Sequence, residues 1–296
     1  MSNLSYMQKA TDRGQLQIHV TTERGFFPIK DASIRLSYTG NPTEIIEELS
    51  TDISGQTAAV ELPAPPLEYS MEPSEFQPYS EYTIQVNASG YRPINISGIS
   101  VLPDKTSIQN VRMETATVEN PLERNIVITA NTLYGNFPPK IPEDEIKPMT
   151  ESGEIVLSRV VIPEYVIVHD GPPSDSSAND YYVRYRDYIK NVASSEIYAT
   201  WPDAALRANI LAIMSFTLNR VYTEWYRNKG YDFTITSSTA FDHKFVYGRN
   251  IFSNISNIVD EMFNSYLSRP NVRQPILIQK YYILLIYMDL PTPNYQ

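Results

Sequence analysis

Glu196 is an acid on the apolar stripe of a helix. Tyr185, Ile189, Val192 and Glu196 follow one another at spacings of four, three and four, with Tyr188 and Ala193 beside them. Such spacing puts them on one face of a predicted helix. A carboxyl on a buried face binds its proton more tightly, because burial penalises the charged form. A general acid working near neutral pH needs that property. Ser194 and Ser195 precede Glu196 and are small enough to admit a bulky substrate, while Tyr198 and Trp201 follow it and could stack on sugar rings. The same pattern also fits a helix-end Glu that pairs with Arg207 or with a backbone amide. Asp203 and Asp242 are the nearest other acids, and each reads more simply as a cap or turn residue. His243 is either a substrate contact or an ordinary exposed side chain.

Other chemistries find less support. His19, His169 and His243 are far apart, HExxH is absent and there is no Cys, so neither a metal site nor a cofactor is expected. The net charge of −10 argues against nucleic acid and against anionic membrane surfaces as partners. No apolar run approaches the roughly 18 residues of a membrane helix. The opening MSNLSYMQKATDRGQ has no signal-peptide character, so export by the usual signal route is not expected. With 296 residues, 42% of them apolar, the chain can hold two domains with real cores.

Three regions are predicted. Residues 1–116 read as a β-sandwich. Leu16, Ile18 and Val20 alternate with polar neighbours, as do Ile34, Leu36 and Tyr38, and Tyr82, Ile84 and Val86. Gly40-Asn41-Pro42, Ser54-Gly55 and Ser89-Gly90 supply turns. Residues 117–159 read as a linker, since PPKIPEDEIKP (Pro138 to Pro148) holds four prolines among alternating charges and should be extended and exposed. Residues 160–296 read as a helix-rich α+β domain. It opens on a strand pair broken at Pro163 and continues with a first helix that carries Glu196. Pro202 starts a second helix that runs from Leu206 to Trp225 and stops near Gly230, and residues 251–268 form a third.

Two resemblances sharpen these expectations. TDISGQTAAVELPAPP (Thr51 to Pro66) with YTIQVNASGYRP (Tyr82 to Pro93) resembles the transthyretin-like, carboxypeptidase-regulatory sandwich family. NVASSEIYATWPDAALRANILA (Asn191 to Ala212) resembles the core motif of the stage II sporulation protein D family. Within that family the likeness is closest to the spore cortex-lytic enzymes. IPEYVIVHDG, FTLNRVYTEWYRNKGYDF, NIFSNISNIVDEMFNSYLSRP and LYGNFPPKIPEDEIKP carry it along the chain.

The resemblance implies an α+β multidomain enzyme: a lytic transglycosylase that cleaves cortex peptidoglycan during germination. Glu196 matches the family's acidic residue. The β-sandwich would be a pro-region, with an activating protease cutting at the linker, and the location would be the spore cortex or coat. In STAFDHKFVYGRN (Ser238 to Asn250) this chain has His243 where the family has Gln. After about Gln279 the family pattern ends, and KYYILLIYMDLPTPNYQ reads as a truncated finish to the catalytic domain. The alternatives are a truncated, inactive relative, or a structural spore protein that retains some glycan binding.

Overall fold

The computed structural model describes residues 12–73, 75–117, 122–131, 133, 138–147, 157, 159–272 and 274–278. The apolar tail read at Tyr281 to Met288, and the departure after Gln279, lie outside the described residues. The fold is mixed α+β, mostly sheet with a few helices. The chain divides into two compact units. One comprises residues 1–134, 198–200 and 246–254, and the other residues 135–197, 201–245 and 255–296.

The first unit holds two sheets. β1 (Asp12–Thr22) lies between β4 (Val60–Ala64), antiparallel, and β7 (Thr106–Met113), parallel. The other sheet runs β3 (Asn41–Ser50), β2 (Ser33–Tyr38), β5 (Ser80–Asn87), β6 (Ile94–Val101), β8 (Arg124–Val127). The alternation expected of β1 is realised: Leu16, Ile18 and Val20 are fully buried and share one core with Ile34, Leu36, Ile84, Val86 and Ile96 from the other sheet. Each such side chain contributes about 1.5–3 kcal/mol by leaving water. The predicted Ser54-Gly55 turn also forms. Asp52 Oδ1 accepts the N–H groups of Ser54 and Gln56, and Gly55 sits at φ +72°. A Cβ there would lie 2.5 Å from the Val20 carbonyl oxygen, so glycine is required.

Residues 246–254 join this unit from far along the chain. β12 (Ile251–Phe252) pairs antiparallel with β7, with Ile251 opposite Ile108. Beside it, the Asn250 carboxamide accepts the Ser100 N–H at 3.0 Å and donates to the Ser100 carbonyl at 3.0 Å, as a strand backbone would. The single domain read over residues 160–296 thus lends a strand to the first unit, and the third helix begins after it rather than at Ile251. A short α1 (Glu68–Met71) completes the elements before β5.

In the second unit β9 (Tyr165–His169) pairs antiparallel with β10 (Asp180–Arg184) and parallel with β11 (Ile235–Thr236). The predicted strand before Pro163 does not form, and the sequence enters β9 only at Tyr165. α2 (Tyr185–Glu196) follows β10 directly and packs against α3 (Asp203–Tyr222). α3 stops at Tyr222, short of the predicted run to Trp225, and Gly230, left-handed at φ +82°, caps a separate 3₁₀ turn (Arg227–Lys229) rather than that helix. α4 (Ser253–Met262) closes the series. Its Asp260 meets Lys190 of α2 at 2.7 Å. No helix among the described residues is long and apolar enough to cross a membrane.

The proline-rich stretch departs from the exposed tether expected of it. Its prolines do leave residues 138–147 without regular structure, but the charged residues between them are anchored. Ile141 donates its N–H to the Ala240 carbonyl at 2.9 Å. Glu143 and Lys147 pair at 2.7 Å, each side chain only 7% exposed. The backbone of Lys147 is held at both N–H and C=O by the Gln274 carboxamide. Prolines set the path, and the intervening charges bind it to the second unit. A protease site engineered into residues 151–156 should therefore yield, after cutting, two fragments that co-elute in native size-exclusion chromatography and separate only in denaturant.

Candidate functional site

Glu196 is the last residue of α2. The helix stops there because Ile197 turns extended (φ −139°, ψ 150°), while its N–H still bonds to the Ala193 carbonyl at 3.1 Å. The apolar stripe holds: Tyr185, Tyr188, Ile189 and Val192 are all buried. Glu196 is 9% exposed, and its Oε1 accepts the Lys244 N–H at 2.7 Å. Of the two simple pairings considered for it, the backbone amide is the one observed. Arg207 instead binds Asp203 at 2.6 Å and Glu261 at 2.7 Å on the surface.

Burial raises the proton affinity of Glu196. The Lys140 ammonium and the Lys244 N–H work against that rise without cancelling it. Since Oε1 accepts an amide hydrogen, the acid form carries its proton on Oε2. This is a carboxyl poised to give a proton and then to take one back.

The loop that supplies Lys244 is held by Asp242, which has no exposed surface. Asp242 Oδ1 accepts Arg220 Nε at 2.7 Å. Its Oδ2 accepts the Tyr226 hydroxyl at 2.6 Å and both the N–H and the hydroxyl of Thr236, at 2.8 and 2.7 Å. Arg220, equally buried, forks onto Glu143 at 2.7 and 2.8 Å and reaches the Phe241 carbonyl at 3.1 Å. Burial opposes the charge on Arg220, but Asp242 and Glu143 outweigh it and strengthen its hold on the proton. In Glu143, likewise, the bonds from Arg220 and Lys147 overcome burial and favour the carboxylate. Asp242 closes a turn, as expected, its N–H bonding the Ser238 carbonyl at 2.7 Å, but its side chain is also the centre of a buried ion cluster, and Asp203 is a surface partner of Arg207.

Other sequence candidates land in unexpected places. Ser195 is fully buried, and its hydroxyl donates back to the Asn191 carbonyl at 2.9 Å, so it faces its own helix rather than a substrate path. Tyr198 and Trp201 are only 2% and 3% exposed, which leaves neither ring an open face for a sugar. The Tyr198 hydroxyl accepts the Leu133 N–H at 3.3 Å. His243 is buried, not exposed, with its ring 4.4 Å from that of Phe216. Burial, with the positive charges of Lys140 and Arg220, pushes its proton affinity far down and keeps it neutral at pH 7.

Two residues carry more weight than the sequence suggested. Lys140 donates from Nζ to the Asp242 carbonyl and lies over the Phe216 ring at 5.3 Å. The signal for Arg220 in the sequence is its setting: it is the one charge between Arg207 and Glu224. A pocket of about 500 Å³, lined in part by Glu143, Lys147, Trp225, Tyr226 and Phe241, lies along the same cluster.

Residues 178–261 match the family described as Stage II sporulation protein. The match covers α2, α3, Glu196 and the Asp242–Lys244 loop, and makes this part of the chain a SpoIID-like domain. No curated protein is significantly similar in sequence. Among solved structures, the Bacillus anthracis TIE protein is 17% identical, covering 36% of this chain and 17% of its own, at a TM-score of 0.25. Klebsiella pneumoniae 5-hydroxyisourate hydrolase is 17% identical over 34% of this chain and 86% of its own, at 0.22. Wild-type Acinetobacter radioresistens catechol 1,2-dioxygenase is 17% identical over 43% of this chain and 60% of its own, at 0.24.

Arg220→Met should strand Asp242 and Glu143 as buried, uncompensated charges. Denaturant unfolding should show a loss of about 3–5 kcal/mol, against about 0–1 kcal/mol for Arg207→Met, whose ion pairs are exposed.

Proposed function

We propose that this chain is a peptidoglycan lytic transglycosylase of the spore cortex, resembling SleC, and that Glu196 is its single acid and base. The observation that carries the reading is the buried Glu196 carboxyl, whose hold on its proton burial strengthens, within the stretch that matches the sporulation family.

Glu196 gives its proton to the glycosidic oxygen between N-acetylmuramic acid and N-acetylglucosamine as the C1–O bond breaks. The resulting carboxylate then takes the proton of the muramoyl 6-hydroxyl, whose oxygen closes onto C1. The products are a 1,6-anhydro end and a free 4-hydroxyl. No water is activated, so one carboxyl serves both steps, unlike the paired carboxylates of most glycosidases. Asp242, fully engaged by its four donors, is not called on. The β-sandwich serves as a pro-region, an activating protease cuts at the linker, and the enzyme acts in the spore during germination. A second reading, a structural spore protein without turnover, draws on the burial of Tyr198 and Trp201, which leaves neither ring open to a sugar.

Glu196→Gln separates the two. Gln keeps the acceptor for the Lys244 N–H but has no proton to give, so lysis of isolated cortex should fall by about 10²–10⁴-fold. Stability should move the other way. The folded protein binds the Glu196 proton more tightly than the unfolded chain does, so that contribution is full at low pH and is lost as pH rises through the folded-state value. At pH 8 the variant should thus melt at or above the wild-type temperature. Near-normal lysis by the variant would reject Glu196 as the acid, and no lysis by the wild type would leave the reading without turnover.

A further inference from the structure

We infer that Lys140 is a positioning residue for Glu196: it supplies the positive charge that stabilises the carboxylate left when the proton departs. The inference rests on the reading of Glu196 as the acid.

Geometry makes Lys140 a fixed charge rather than a passing one. Pro139 before it and Pro142 after it restrict the backbone. Ile141 is bonded to Ala240, Glu143 to Arg220 and Lys147 to Gln274, so the segment is tied down immediately beyond Lys140. Its Nζ donates to the Asp242 carbonyl, two residues before the Lys244 N–H that binds Glu196. Lys140 and the Glu196 loop thus share one anchor, and a shift of either would move the other.

The placement suits a residue that must cycle. A cation bonded directly to Glu196 would hold it ionised and unable to give a proton. Lys140 spends a hydrogen bond on Asp242 instead and acts on Glu196 through its field. Charged and titratable groups act here from every side: Lys140 from the proline-rich segment; Asp242, His243 and Lys244 from the loop; Tyr188 from α2 itself; Arg220 from α3. His243 is neutral, Tyr188 keeps its proton, and Arg220 is neutralised by Asp242 and Glu143. Two side-chain cations are left to answer a new negative charge on Glu196, Lys140 and Lys244, and of the two Lys140 acts the more strongly. The proton passes from Glu196 to the glycosidic oxygen and returns from the muramoyl 6-hydroxyl; burial loosens the hold of Lys140 on its own proton, and the charges of Glu196 and Asp242 work against that loss.

The test measures the Glu196 titration directly. In protein labelled with ¹³C at the Glu side-chain carboxyls, the Glu196 signal is the one lost in Glu196→Gln. In Lys140→Met its midpoint should move to higher pH, because the carboxylate has lost its neighbouring cation. The alkaline limb of cortex lysis should move up with it, and Lys140→Arg should restore both. If Lys140→Met does not fold, Lys140→Gln, which keeps a donor for the Asp242 carbonyl, carries the same comparison. An unmoved midpoint in a folded variant overturns the inference. Because that midpoint needs no turnover, it decides the role of Lys140 even if Glu196→Gln still lyses cortex.

Discussion

Arg220 brings a full positive charge to a place with no exposed surface. An uncompensated ion there would be worth several kcal/mol of destabilisation, comparable with the net stability of a domain. Everything around it answers that demand. Asp242 takes one edge of the guanidinium and Glu143 takes the other two nitrogens. Tyr226 and Thr236 then satisfy the far oxygen of Asp242. Three separate pieces of sequence are thereby fixed together: the end of α3, the loop before Lys244 and the proline-rich segment. The Glu196 environment is a consequence, because its backbone donor and its nearby cation both hang from this cluster.

Two acids of one unit show how surroundings divide roles. Asp242 and Glu196 are both buried. Asp242 meets an arginine and three further donors, so its charge is an asset to the fold. Glu196 meets one amide and the fields of Lys140 and Lys244, so burial dominates and strengthens its hold on the proton. The first acid is committed to structure, and the second is left able to exchange a proton.

Local periodicity was legible in the sequence. The alternation of Leu16, Ile18 and Val20 gave a true strand, and the stripe ending at Glu196 gave a true helix, because both depend on neighbours a few residues away. Contacts across long separations were not. The pairing of Asn250 with Ser100 joins residues 150 apart, and nothing in GRNIF marks it as an edge strand. Polar side chains misled where their partners were out of sight. Ser195 reads as a small residue beside a site until its Asn191 bond is seen, and Tyr198 and Trp201 read as sugar platforms until their burial is seen. The charges of PPKIPEDEIKP suggested solvent because their buried partner, Arg220, lies far along the chain.

A single mobile proton constrains which substrate such a site can process. With Asp242 committed to Arg220 and Asp203 to Arg207, neither is at hand to activate water opposite Glu196. An inverting hydrolase needs such a base about 6.5–9.5 Å from its acid. On the proposed reading the missing nucleophile must come with the substrate, and a muramoyl residue offers its own 6-hydroxyl. A glycan lacking that hydroxyl would bind the same surface and stay whole. On that reading the chemistry of the sugar and the commitment of Asp242 to the fold are two sides of one constraint: the buried charge that holds the loop in place also takes Asp242 out of acid–base work.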